Sequence, residues 1–279
     1  MIQLGQYNLL KATRETKSGL YLADEEGKEV LLPGKYIPQN VKIGDKLEVF
    51  IYKDSEDRLI ATTQTPKITL HQFAYLPVKA VNAYAAFVDW GLEKDLFVPY
   101  KEQPQKLIAG NSYVFYLYVD EQTDRLVASA NVDRFLNNET LTIQSGEEVE
   151  IIIWQATDLG YNVIINNVHK GLIYKNELFA PVQIGETRKA YIKKIREGNR
   201  IDVQLQKSGY ENVEPNAAKI LQKLAENHGF LALHDNSAPE DISRELEMSK
   251  KTFKKAIGLL YKQQAIRLTE DGIYLNEAE

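Results

Sequence analysis

One pattern occurs three times in the first three quarters of the chain: a β-prone stretch, a polar turn, and a second β-prone stretch that opens on arginine. It reads Ile43-Gly44-Asp45-Lys46-Leu47-Glu48-Val49-Phe50-Ile51-Tyr52, followed by Asp57-Arg58-Leu59-Ile60-Ala61-Thr62. The second copy runs from Ala109 to Tyr118 and from Asp124 to Ser129, the third from Ile184 to Ile192 and from Asn199 to Gln204. Arg58, Arg125 and Arg200 lie 67 and 75 residues apart, so each unit is a domain of about 70 residues. Its strands are short, alternate apolar with polar, and are rich in Val, Ile and Tyr between Gly, Asp and Asn. That is the pattern of a small all-β barrel or sandwich. Length alone suggests two domains for 279 residues; the repeat makes them four small ones.

Matched stretches precede each copy. Gly19-Leu20-Tyr21-Leu22, Ala85-Ala86-Phe87-Val88 and Gly160-Tyr161-Asn162-Val163 are each followed by an apolar strand: Val30 to Pro33, Asp95 to Pro99, and Gly171 to Leu178. Ala85-Ala86-Phe87-Val88-Asp89-Trp90-Gly91 resembles the GAFVxLG stretch of the S1-type RNA-binding domain, a five-stranded OB barrel. Gly171-Leu172-Ile173-Tyr174-Lys175-Asn176-Glu177-Leu178 resembles its GLxHxSEL stretch, with Tyr174 in place of the usual His. Three tandem S1-like units are expected over 1–65, 66–136 and 139–207.

In a half-buried strand alternate residues face opposite ways. Ala86 and Val88 are therefore expected inside the barrel and Phe87 on its surface, where an aromatic ring offers a stacking face worth about 1–3 kcal/mol per base. Tyr84 joins Phe87 on the second unit, and Tyr21 takes the same place in the first. The third unit departs from this: Tyr161 points inward, Asn162 takes the surface position, and Tyr174 is left as its stacking candidate. The alternative is that these rings cover a barrel core or an interdomain joint.

After Gln206-Lys207-Ser208-Gly209 the alternation stops, and from Pro215 the apolar residues follow helical spacing. Ser237 and Pro239 precede a second helix with acids in its first turn. Met248-Ser249 is a turn and N-cap for a third, Lys250 to about Gln263. Ala265 to Thr269 and Ile273 to Leu275, joined through Asp271-Gly272, are two short strands. Three helices and a hairpin over 212–279 make an α+β winged helix-turn-helix. On its third helix Phe253, Ile257 and Leu260 form a core stripe. Lys250, Lys251, Lys254, Lys255 and Lys262 lie off that stripe, with no acid between Ser249 and Gln263. The bland reading is a solvated charged face; the other is a phosphate-binding one.

The order of three S1-like units and this C-terminal domain resembles the conserved virulence factor B family across the whole chain. Leu159-Gly160-Tyr161-Asn162-Val163, the stretch Gly171 to Phe179, and the run Met248 to Lys262 carry the resemblance. It implies RNA binding without catalysis and a role in regulating gene expression after transcription.

Composition agrees with a binding protein. The absence of cysteine excludes disulfides, thiolate zinc sites, iron–sulfur clusters and a cysteine nucleophile. His71, His169, His228 and His234 are scattered, outside any metal-ligand motif, and read as structural or surface histidines. No phosphate loop, dinucleotide fingerprint or nucleophile elbow occurs. No catalytic residue, metal or cofactor is expected. The N-terminal residues lack the features of a secretory signal and no apolar run spans a bilayer, so the expected setting is the cytoplasm, away from membranes. The oligomeric state stays open, with a monomer favoured.

The net charge of −5 divides as −1, −1, 0 and −3 over 1–66, 67–138, 139–210 and 211–279. Cations concentrate locally, at Arg188, Lys189, Lys193, Lys194, Arg196, Arg200 and Lys207 of the third unit and on the lysine helix. The expected function is single-stranded RNA binding by stacking on the barrels and by a basic groove from the third barrel onto the winged helix. Two alternatives stay open: a winged-helix reader of duplex DNA, and a protein-interaction scaffold on ribosomes or a nuclease complex.

Overall fold

A computed structural model describes residues 1–175, 178, 182–205 and 215–276. The chain is mainly β and multidomain: three closed five-stranded barrels followed by a winged helix. It divides into two compact units, one holding the first two barrels and most of the third, the other centred on the C-terminal helices.

The first barrel contains β1 (Tyr7–Thr16), β2 (Gly19–Ala23), β3 (Glu29–Pro33), β4 (Lys46–Lys53) and β5 (Leu59–Thr62). The second contains β6 (Phe73–Val81), β7 (Ala85–Val88), β8 (Leu96–Pro99), β9 (Ser112–Asp120) and β10 (Arg125–Ser129). The third contains β11 (Glu148–Ala156), β12 (Gly160–Ile165), β13 (His169–Tyr174), β14 (Thr187–Arg196) and β15 (Arg200–Gln204). Each closes in the order first, second, third, fifth, fourth strand, with the third and fifth strands parallel. Alternation builds the interiors. Leu10, Leu20, Leu22, Val30, Leu32 and Ile51 fill the first; Leu76, Val78, Val88, Val98, Phe115 and Leu117 the second; Ile151, Ile153, Val163, Ile173, Ile192 and Val203 the third.

A bulge recurs at one place in all three. Where the first strand passes the second, register shifts between Ala12 and Arg14, between Val78 and Ala80, and between Ile153 and Gln155. An extra residue there bends the strand and increases its twist. Beyond the bulge, Arg14 lies across from Tyr21, Ala80 from Phe87, and Gln155 from Asn162.

Several rings of the barrels hold joints. Between the first and second barrels, Trp90 packs edge-on against Phe50 and Tyr52, at centroid distances of 5.8 and 6.2 Å. Lys35 pairs with Glu93 at 2.6 Å, and Lys53 with Asp124 at 2.7 Å, across the same joint. Between the second and third, Phe73, Val114, Val132 and Ile164 form one buried cluster, with Tyr116 stacked on Phe135 at 4.1 Å. Gly185, at φ +87°, lies so close under the Tyr75 ring that a β carbon there would come within 2.1 Å of it.

The fully buried His169 is structural. The Thr142 N–H donates to its Nε2 at 3.3 Å, which leaves Nδ1 as the donor to the Asn137 carbonyl at 2.5 Å.

The C-terminal domain contains α1 (Pro215–Glu226), β16 (Phe230–Leu231), α2 (Pro239–Leu246), α3 (Lys250–Lys262), β17 (Ile266–Leu268) and β18 (Ile273–Leu275). Ile220, Leu224, Ile242, Leu246, Phe253, Ile257, Leu260 and Ile273 are its core. Ser249 caps α3, its hydroxyl accepting from the Thr252 N–H at 3.1 Å. The expected hairpin of β17 and β18 gains a third strand, β16, which pairs Phe230 with Tyr274 and Leu231 with Ile273. Among the described residues no helix is long and apolar enough to cross a membrane.

Candidate nucleic-acid interface

The second and third strands of each barrel present the same outward position with different chemistry. In the first barrel Tyr21 lies between buried Leu20 and Leu22, as alternation requires, but its face is occupied. The Arg14 guanidinium sits 3.6 Å from the ring centroid. Glu29 holds it there, accepting from Arg14 Nη2 at 2.7 Å and from the Thr13 hydroxyl at 2.8 Å. The hydrogen bond from Arg14, then that from Thr13, keep the Glu29 carboxyl below its ordinary range, while Glu29 raises Arg14. In the third barrel the corresponding residues are Asn162 and Gln155, which bond to each other at 2.8 Å. Tyr161 is half-buried at the inward register.

The second barrel alone shows an open aromatic surface at this position. Across from Phe87 the bulge places Ala80, whose methyl is too small to cover a ring. On the other side lies Phe97, with the two rings edge to face at 6.0 Å. Asn82 turns the chain ahead of β7, its side chain accepting from the N–H groups of Tyr84 and Ala85 at 2.9 Å each. Tyr84 is thereby left 82% exposed, beside Tyr100 at 69% and Phe97 at 39%. The Tyr100 N–H donates to the Tyr84 carbonyl at 3.0 Å, so both rings rise from one bonded corner. Nearby cations are spoken for: Lys79 pairs with Asp95 at 2.7 Å and Lys101 with Asp120 at 3.3 Å. This surface can stack flat rings and supplies little charge of its own. The sequence expectation names Tyr84 and Phe87 but neither Phe97 nor Tyr100, although Leu96-Phe97-Val98 carries the same alternation as Ala86-Phe87-Val88.

The cations of the third barrel are less available than their number suggests. Arg196 bonds to Asp202 at 2.6 Å and to the Tyr174 hydroxyl, and its guanidinium lies 5.5 Å from the Tyr174 ring. Asp202 and then Tyr174 raise the Arg196 guanidinium. Tyr174, expected as a stacking ring, is thus engaged by an arginine. Arg188 pairs with Glu186 at 3.1 Å. Lys189 and Lys193 lie on one side of β14, by alternation, and Lys194 on the other, opposite in sense to a single continuous stripe. Lys193, Lys194 and Arg200 are exposed. Lys207, and Asn176, Glu177 and Phe179 of the S1-like and family-specific stretches, lie outside the described residues.

On α3, Lys251, Lys254, Lys255 and Lys262 are exposed and Lys250 half-buried, all off the buried stripe. Lys254 reaches Asp235 at 3.8 Å. Among the described residues, no three His, Asp or Glu side chains are grouped to hold a metal ion.

Comparison with known proteins matches the first barrel and the C-terminal domain to family models. An S1 domain is matched at residues 4–64 and a CvfB-like winged helix domain at residues 218–275. The YitL protein of Bacillus subtilis (strain 168) is 27% identical over 270 residues, covering 92% of this chain and 89% of its own. Conserved virulence factor B of Staphylococcus saprophyticus is 23% identical over 283 residues, covering 98% and 95%. A solved multidomain protein with nucleic acid binding domains, from Streptococcus pneumoniae TIGR4, is 25% identical, with 98% of both chains covered and a TM-score of 0.47.

Proposed function

We propose that this chain, which is 23–24% identical to conserved virulence factor B proteins over 85–98% of its length and matches a CvfB-like winged helix domain, is a non-enzymatic, cytoplasmic RNA-binding regulator acting after transcription. It takes single-stranded RNA through ring stacking on its S1 barrels, foremost the second, and through phosphate contacts from the cations of the third barrel and of α3. Its units are those at 1–65, 66–136, 139–207 and 212–279. One observation carries the reading: Phe87, with only Ala80 across from it, meets Phe97 edge to face on the outer side of an OB barrel, and the exposed Tyr84 and Tyr100 flank their two strands. Stacking on such a surface requires unpaired bases, which a single strand offers and a duplex hides.

The test is a competition titration of the full chain on a labelled single-stranded RNA, with unlabelled RNA and duplex DNA of the same sequence as competitors. The RNA should displace the probe and remain intact, and the duplex should compete poorly. Equal displacement by the duplex would favour a winged-helix DNA reader instead.

A further inference from the structure

Gly258 sits in the interior of α3 with nothing in the fold to require it. Its helical backbone is one any residue adopts, and a β carbon built on it meets no atom within 4 Å. Glycine weakens a helix interior relative to alanine. The position therefore forgoes helix stability without a packing reason.

Its surroundings suggest what the bare backbone serves. On a helix the neighbours of a residue on the surface are those three and four positions away. For Gly258 these are Lys254, Lys255, Tyr261 and Lys262: three cations and one ring, around a residue with no side chain. Tyr261 is 58% exposed, and Lys255 and Lys262 make no ion pair among the described residues. A flat π-face beside ammonium groups, with a floor low enough for close approach, matches one nucleotide: base against ring, phosphate against lysine.

We propose that Gly258 is the floor of a nucleotide-binding notch on α3, in which an unstacked base of a single-stranded RNA packs against Tyr261 while Lys254, Lys255 and Lys262 hold the adjoining phosphates. This rests on the RNA-binding reading above and adds a second stacking site to it, on the winged helix. It also distinguishes α3 from a helix that reads duplex DNA, whose face would present groups for base edges rather than a gap beside a ring.

The experiment measures single-stranded RNA affinity and thermal unfolding of the full chain for Gly258→Ala, Gly258→Leu, Tyr261→Ala, Tyr261→Phe and the double change Gly258→Leu with Tyr261→Ala. Gly258→Ala should raise the unfolding temperature of the C-terminal domain by about 3 °C or more yet weaken binding, since stability and affinity move oppositely only if the gap is used. Tyr261→Ala should cost about fivefold or more in affinity, with Tyr261→Phe close to the parent chain. Gly258→Leu, which fills the notch, should cost as much as Tyr261→Ala, and the double change no more than either alone. If the parent chain binds RNA and Tyr261→Ala binds equally well, the notch is wrong and the RNA reading stands. Additive losses in the double change also overturn it. Should the parent chain fail to bind single-stranded RNA, both fall.

Discussion

Removing rings from the second barrel should cost RNA affinity that removing Tyr21 from the first does not. The perturbations are Tyr84→Ala, Phe97→Ala and Tyr21→Ala, each in the full chain. A ring that stacks one base contributes about 1–3 kcal/mol, which is a loss of about fivefold to 150-fold on its removal. Tyr84 is 82% exposed and tied in place through its backbone, by Asn82 and Tyr100. Its truncation should change stability by no more than about 0.5 kcal/mol, so lost affinity reports the interface and not the fold. Tyr21 differs because the Arg14 guanidinium already lies 3.6 Å from its ring centroid, clamped by Glu29 at 2.7 Å. A base must displace that pair before it can stack, so Tyr21→Ala should cost about twofold or less, below the range for a stacked base. The assay is fluorescence anisotropy with an end-labelled single-stranded RNA at one fixed salt concentration, because binding to phosphates makes affinity salt-dependent. Losses for Tyr21→Ala as large as those for Tyr84→Ala and Phe97→Ala would refute the distinction between barrels. Losses under about twofold for both second-barrel variants, with the fold intact, would refute stacking on that surface.

The latch in the first barrel should respond to charge: Glu29→Gln frees Arg14 from Tyr21 and should raise affinity for the same RNA, and an unchanged or lower affinity would count against a covered site. Because Arg14 and Thr13 lower the Glu29 carboxyl below 4.5, the pair is present above that pH and lost as pH falls through the lowered value; a carboxyl carbon titration with a midpoint at or above 4.5 would contradict it. Charge reversal at Lys193, Lys194, Lys250 and Lys254 should weaken binding and flatten its salt dependence, by about 0.7 in the slope of log K against log salt for each single-strand phosphate no longer neutralised. Equal affinity at low and high salt for the variant and the parent would dismiss both clusters. At the joint between the first two barrels, Trp90→Ala removes a buried ring packed on Phe50 and Tyr52 and should destabilise by about 3–5 kcal/mol, read from urea unfolding; a change under about 1 kcal/mol would mean the joint is not cooperative with the barrels.

Periodicity was legible wherever an element is long enough to hold one. Ala86, Phe87 and Val88 alternate, and they lie in, out and in. Phe253, Ile257 and Leu260 recur at helical spacing and are buried together. Ser249 precedes them as a cap and caps them. β16 went unseen because two residues carry no period. Among the rings, Tyr52, Trp90, Tyr116 and Phe135 read no differently from Tyr84, yet they pack in joints between barrels, since which outward ring meets a neighbouring domain is a long-range matter. The basic run of the third barrel was visible as composition; that Arg188 and Arg196 answer to Glu186 and Asp202 was not.

What the amino-acid order determined by itself is the succession of three five-stranded barrels and a winged helix, because alternation, helical spacing, caps and turns are properties of neighbours along the chain. What only the tertiary structure decided is which stacking position is open. Strict alternation across the first two strands would set Thr13 against Tyr21 and Lys79 against Phe87. The bulge advances each first strand by one residue, so that Arg14 covers Tyr21, whereas the half-buried Phe87 faces only the small Ala80. A one-residue shift in pairing exchanges the two faces of a strand, and here it separates a closed barrel surface from an open one.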